Sequence, residues 1–509
     1  MERTPHRTPE AYKQLELASA VVLLFMTVWA PWAFGAGGPP YQTILCGAGH
    51  LAGLLLIGKW VVRRVTGYTP ARWAEPTPFG TWVLRLMAAL TVLFLAYVAA
   101  GVFNARAVGE YIPAGADQGV NLNYVERTPI PWLPSSYDAP VSWNALWRWM
   151  GIAWAFWAAR DWFLGKTRSE RRETDPEAVV YPGSRLRLWL WVIASSTFAL
   201  AAVSVVQRLD GTNKLLWLIT PKHPDPNTPW DYPTNFHFGP FNYRGNASQY
   251  LNLIWPLVLG FWKFTRDRER KDRGMNLRMG QGPHVLLLPW ALLIAAGPII
   301  SGSRGGVLVT ALLAVAFGIL FAVTPSRWSL LRRLGVFAGV LLLLVAMVWL
   351  GGSTFLNRVQ NPEADPSSNR RTVYEECFRM MSDFKWLGSG ADTFATIQPF
   401  YRKVVWEQWT GYAHNDLMEF VITLGVLGTG VLLVLLAFGL LLPRLHRREG
   451  GGTTGLMIYF QLAMIGMLLH SMLDFPFQMA SLQVEFLLVL AAFSTLVQKD
   501  SASSGDHRR

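Results

Sequence analysis

Trp82–Phe103 reads WVLRLMAALTVLFLAYVAAGVF, with a single charge, Arg85, near its start. About 20 apolar residues in helical conformation match a hydrocarbon layer of about 30 Å, so this stretch predicts a membrane-spanning helix. Outward from it the pattern recurs at Leu15–Phe34, Leu186–Val206, Val307–Val323 and Leu427–Leu442. Spans are expected at 15–34, 41–62, 82–103, 143–162, 186–206, 247–264, 284–300, 305–323, 334–351, 414–443, 455–473 and 477–497. Leu15–Phe34 is too long for a signal peptide, lacks a small-residue cleavage pattern and is followed by further spans, so it is expected to be retained. The fold class is therefore all-α, a polytopic transmembrane bundle of about twelve helices. Composition agrees: 51% of the 509 residues are hydrophobic and 16% charged, against about a quarter charged in soluble proteins.

The net charge of +13 raises nucleic acid as a partner, but its distribution argues for topology instead. With the N-terminus inside, Arg63/Arg64/Arg72, Lys166–Arg172, Lys263–Arg278, Arg327/Arg332/Arg333 and Arg444/Arg447/Arg448 all fall in cytoplasmic connections. That is the positive-inside pattern expected of a multi-pass inner-membrane protein with both termini cytoplasmic. Its partners are membrane lipids with anionic headgroups, and no nucleic acid. Two cysteines, Cys46 and Cys377, give neither a disulfide framework nor metal spacing.

This topology divides the chain into N-terminal helices with two long outer loops (1–246), central helices (247–351), a large extracytoplasmic loop (352–413), C-terminal helices (414–497) and a disordered tail (498–509). The large loop is expected to fold as a cap. It contains an amphipathic helix, Arg370–Phe384, then the Gly-rich turn Leu387–Asp392, and aromatics through Trp409. No internal repeat relates the two halves.

Four polar clusters fall on the outer face. In Ile300-Ser-Gly-Ser-Arg-Gly-Gly306 the glycines admit close approach, and Arg304 opens a helix N-terminus, where cations are disfavoured and anions favoured. A snorkelling Arg in a turn capped by Ser is the structural alternative. Phe238–Asn246 places Arg244 and Asn246 at the same face; two arginines suit a pyrophosphate, while Asn246 as a plain N-cap is the alternative. Gly411–Glu419 carries His414, whose ordinary pKa of about 6.5 suits general base work. Asp416 and Glu419 there also have capping-box spacing. His470–Gln478 places His470 and Asp474 four apart, on one helical face; two ligands are too few for a metal site, and a polar pair at the membrane boundary is the alternative. Glu485 and His50, inside spans, read as interhelical hydrogen-bonding groups.

Together these residues resemble the O-antigen ligase and polymerase superfamily. The likeness rests on Ser303-Arg304-Gly305, the His414-Asn-Asp helix opening, Leu424-Gly-Val-Leu-Gly428, and the loop residues Arg371, Gly388-Ser-Gly390, Phe394 and Tyr401. Phe241–Asn246 leading into Leu251–Pro256 and the His470/Asp474 turn extend it over residues 235–490. The resemblance implies a metal-independent inverting glycosyltransferase with no cofactor. Its donor would be an undecaprenyl-pyrophosphate-linked glycan, its acceptor a lipid A-core sugar or another glycan. It further implies that Arg304, with Arg244, binds the pyrophosphate, that His414 positions or deprotonates the attacking hydroxyl, and that Asp416 or Asp474 orients His414. Asn246, Arg371, Tyr401, His470 and Asp474 would contact substrate. The rivals are a transporter or flippase of lipid-linked glycans and a non-catalytic scaffold. Against the transporter stand the missing repeat and the gathering of polar groups on one face rather than at the midplane.

Overall fold

The computed structural model describes residues 8–113, 120–172, 182–220, 236–272, 282–323, 370–402, 411–447 and 454–496, with isolated positions 329, 335 and 338. In chain order the helices are α1 (Glu10–Trp32), α2 (Pro39–Thr66), α3 (Pro78–Phe103), α4 (Ala139–Leu164), α5 (Arg168–Arg172), α6 (Ser184–Asp210), α7 (Arg244–Asp272), α8 (His284–Ile300) and α9 (Arg304–Val323). They continue with α10 (Arg370–Asp383), α11 (Phe394–Ile397), α12 (Asp416–Leu441), α13 (Thr454–Ser471) and α14 (Ala480–Ser494). Among the described residues eleven helices have at least 15 residues. Apart from positions 335 and 338, the expected span 334–351 lies outside the described residues, as does the tail 498–509.

Among the described residues six helices, α1, α2, α3, α6, α9 and α12, are both long and apolar enough to cross a membrane. The helices at the expected spans 143–162 and 247–264 form but fall short in apolarity, for a reason visible in their packing. Within α7, Asn246, Ser248, Gln249 and Asn252 are all buried, and its neighbours α6, α8, α9 and α13 enclose it. A helix wrapped by protein is free to carry polar groups that find partners there; Asn252 donates to Gly306 O at 3.0 Å and accepts from Thr310 Oγ1 at 2.8 Å. Helix α14 is likewise buried along almost its whole length. On it Glu485 is fully buried, and neither carboxylate oxygen has a hydrogen-bond partner among the described residues. His50 stands edge-on to Trp147.

Strand is sparse. The hairpin β2 (Ala107–Pro113) and β3 (Val120–Glu126), paired from Ala107↔Glu126 to Pro113↔Val120, lies in a segment expected to be loop. A two-residue pair, β1 (Glu75–Pro76) with β4 (His446–Arg447), ties the start of α3 to the end of α12.

One end of the bundle is held by charge. Asp161 on α4 accepts from Arg63 at 2.8 and 2.9 Å and pairs with Lys59 at 2.9 Å, both on α2. Glu16 on α1 pairs with Arg185 on α6 at 2.9 Å. Lys59 is fully buried, so the network joins four helices at a place where an unpartnered charge would be expensive.

Helix α12 is broken at Gly425 (φ 66°, ψ 176°), inside a stretch apolar enough to span a membrane, where every backbone polar group needs a partner. The glycine turn after α10 supplies them. Ser389 N and Gly390 N donate to Ile422 O and Thr423 O at 2.9 and 3.0 Å, and Val426 N donates to Lys385 O at 2.8 Å. Tyr97 Oη of α3 donates to Leu387 O and Leu424 O at 2.8 and 2.7 Å. A Cβ on Gly388 would lie 2.3 Å from Thr423 O, and one on Gly425 2.2 Å from Trp386 O, so both positions require glycine. The two sequence stretches Gly388-Ser-Gly390 and Leu424–Gly428 are thus two halves of one clasp.

Candidate functional site

At the bundle end opposite the charge network, several helix termini meet. Ser301–Ser303 turns the chain from α8 into α9: Ser301 N donates to Gly297 O at 2.8 Å, Gly302 takes φ +72°, and Ser303 Oγ caps the helix by accepting from Gly306 N at 3.2 Å. Ser as N-cap is therefore correct, and Arg304 is the first helical residue beside it. Arg208 pins the turn by donating to Ser301 O at 3.1 Å and His237 O at 3.0 Å. Arg244 likewise opens α7, its N–H donating to Phe236 O at 2.8 Å. Both arginine side chains are half-buried.

The glycine after each arginine touches the same turn. A Cβ on Gly305 would lie 2.8 Å from His470 Nε2, and one on Gly245 2.7 Å from Asp474 Oδ2. The N-termini of α9 and α7 thus flank residues 470–474, and two helix N-termini side by side favour an anion. Asn246 is buried beside them with Oδ1 lacking a partner among the described residues. His470 is buried too, and neither ring nitrogen has a hydrogen-bond partner there.

Asp474 does not continue the helix face of His470. Helix α13 ends at Ser471, Leu473 N closes a turn onto His470 O at 2.9 Å, and Asp474 lies beyond it. Its Oδ1 accepts from His414 Nδ1 at 2.9 Å and its Oδ2 from Tyr243 Oη at 3.0 Å. Burial would push this carboxyl up. The His414 hydrogen bond and charge, with Arg370, outweigh that and hold it below the ordinary carboxylate range. An ionised carboxylate only accepts, so His414 Nδ1 is the donor in this pair, and in the neutral form of the ring the lone pair falls on Nε2. The same charge, after burial, raises Tyr243.

His414 itself sits at φ +55°, a conformation that costs a non-glycine residue about 1–3 kcal/mol and that surroundings must enforce. Tyr374 Oη donates to His414 O at 3.0 Å, and Asn415 Nδ2 to Met472 O at 3.1 Å. Phe475 stacks between Tyr243 and Tyr412 and meets the His414 ring edge-on at 5.0 Å. Burial, then the charge of Glu419, pushes Tyr412 up to about 12.

Several sequence expectations change place. Asn415, not Asp416, caps α12, accepting from Met418 N at 3.1 Å. Asp416 accepts from Phe477 N at 2.9 Å and Gln478 Nε2 at 3.1 Å, so it braces the turn after Asp474 and is not the partner of His414. Glu419 accepts from Ala413 N at 2.8 Å. Arg371 points into solvent, its side chain 91% exposed, and pairs only with Glu375 among the described residues. Its neighbour Arg370 reaches the site, donating to Leu473 O at 2.9 Å. The signal was in the spacing: Val373, Cys377 and Met380 form the buried face of α10, and Arg370 falls on it while Arg371 does not. Tyr401 lies at the far end of α10, donating to Asp383 Oδ2 at 2.7 Å. Among the described residues no group of three His, Cys, Asp or Glu is arranged to hold a metal.

The family model described as O-Antigen ligase matches residues 290–433. That span contains Arg304, Arg370 and His414 and leaves Arg244, His470 and Asp474 outside it. No curated protein matches the chain.

Proposed function

Starting from the O-antigen ligase match over residues 290–433, which supports the resemblance to the ligase and polymerase superfamily, we propose a specific reaction for this multi-pass membrane enzyme. It transfers, or polymerises, a glycan carried on undecaprenyl pyrophosphate at the extracytoplasmic face of the bacterial inner membrane, onto a lipid A-core or glycan acceptor. The observation that carries the proposal is the His414–Asp474 pair standing beside two arginine-led helix N-termini.

In this reading His414 Nε2 takes the proton of the acceptor hydroxyl as its oxygen bonds to the anomeric carbon. Asp474, itself held by Tyr243, orients the imidazole and stabilises the imidazolium. The bond from the anomeric carbon to the pyrophosphate breaks on the opposite side, inverting the centre, and the leaving oxygen carries the electron pair away. Arg304 and Arg244, with the α9 and α7 N-termini, meet that growing charge. Pyrophosphate is a good leaving group, so positioning and electrostatics account for the step without metal assistance.

The test is purified protein with a lipid-pyrophosphate glycan and candidate acceptors, in the presence of a chelator. Wild type is expected to transfer sugar, and His414→Ala and Arg304→Ala to lose transfer while folding normally. Product on lipid A-core identifies a ligase, and a lengthened lipid-linked chain a polymerase. Movement of the lipid-linked glycan across vesicles without transfer would overturn the enzyme in favour of a transporter.

A further inference from the structure

A second feature lies away from the His414–Asp474 pair. The loop subdomain carries an open cavity of about 440 Å³ lined by Arg379, Ser382, Asp383, Phe400, Tyr401 and Arg402. Its chemistry is mixed in a particular way. Phe400 is 83% exposed, so its ring face is accessible at the cavity wall. The Tyr401 ring is fixed by its hydrogen bond to Asp383. Arg402 Nε donates to Gln398 Oε1 at 2.9 Å, and buried Gln398 donates in turn to Glu376 Oε2 at 2.9 Å, so that wall is anchored to α10. Aromatic faces beside a carboxylate and two guanidinium groups suit a ligand with apolar C–H faces and a rim of hydroxyls, which is a sugar ring. The arginines add affinity for acidic or phosphorylated sugars.

Helix α10 connects this cavity to the reacting groups. Its first residue, Arg370, holds Leu473 beside Asp474, and Tyr374, one turn on, holds the His414 carbonyl. Its last, Asp383, lines the cavity. The rise of an α-helix puts the two about 20 Å apart, a gap that an oligosaccharide spans and a single sugar does not. The solvent face between them carries Glu375, Phe378, Arg379 and Ser382. The helix starts beside His414, whose carbonyl Tyr374 holds, the side on which the acceptor hydroxyl would lie.

We propose that this cavity is a distal acceptor subsite, binding the saccharide of the acceptor several sugars away from the hydroxyl that reacts. The proposal rests on the transferase reading above, and two readouts separate them. The first is binding of lipid-free oligosaccharides, both lipopolysaccharide core released by mild acid and a single O-antigen repeat unit, to the full-length protein by saturation-transfer NMR. The second is the KM for a full-length acceptor relative to one truncated to its reacting sugar. Wild type is expected to bind one of the two oligosaccharides and to favour the long acceptor. Phe400→Ala, at an exposed position, and Asp383→Asn are expected to weaken that binding and shrink the long-over-short advantage about tenfold. Binding and KM ratio unchanged in both variants, no binding of either oligosaccharide by wild type, or an altered KM for the donor instead of the acceptor, would each overturn the subsite. Saccharide binding that Phe400→Ala abolishes, in a wild type that transfers nothing, would keep the saccharide site and sink the transferase.

Discussion

At the residue scale the site depends on partners as much as on His414. Asp474→Asn preserves shape but removes the charge that fixes the imidazole, and is expected to lower kcat about 100-fold or more, the range for loss of a properly poised general base; steady-state rates on the native acceptor check this. Because the folded carboxyl lies below its ordinary value, its contribution to stability is complete above the unfolded pKa of about 3.9 and disappears as pH falls through the folded value. The gap in melting temperature between wild type and Asp474→Asn should therefore close as the pH is taken below about 4. The adjacent arginines give a sharper contrast. Arg370→Ala strips a charged donor from the Leu473 carbonyl and should cost about tenfold or more in activity, whereas Arg371→Ala, on the solvent side of α10, should leave the rate within about twofold. Assaying the two variants side by side decides it.

At the element scale the broken helix matters most. Gly425→Ala would force a methyl against Trp386 O at a left-handed φ and release the carbonyls that Ser389, Gly390 and Tyr97 now satisfy. A loss of about 2–4 kcal/mol is expected, read as a fall in melting temperature, and Gly388→Ala should match it. Much of this level was legible in the sequence. Hydropathy located the long helices of the described residues, and the glycines, His414 and Arg304 stood out by position. What hydropathy could not carry was the partner of each group. Asp474 follows a turn that ends α13, so helical spacing from His470 misdescribed it. Asp416 looked like a cap because the cap was read one residue late. Tyr243 gave no signal, since its value comes from a contact more than two hundred residues away in the chain, and Arg370 showed only as part of the buried face of α10.

At the scale of the whole molecule, the two ends of the bundle are built differently. The end with the His414–Asp474 pair gathers helix N-termini and polar side chains with unmet hydrogen-bonding capacity. The other is closed by the Asp161 network. Asp161→Ala leaves Lys59 buried beside Arg63 with one carboxylate fewer and should destabilise the fold by about 3–5 kcal/mol, while the folded fraction retains its turnover number; thermal unfolding in detergent and active-site titration measure the two separately. The failed apolarity of α4 and α7 also belongs to this scale, because it is the surrounding helices that license their polar residues.

Helix α14 packs against α1, α4, α7, α12 and α13, and its flank is almost entirely inside protein. During synthesis α1 and α4 emerge from the ribosome more than three hundred residues ahead of it. Until Ala480–Ser494 arrives, the faces they will present to α14 must be tolerated by lipid or shielded by an insertion factor. Assembly of this bundle is therefore a late, C-terminally triggered event, and a nascent chain halted before Ala480 should be a substrate for membrane quality-control proteolysis rather than a smaller stable bundle.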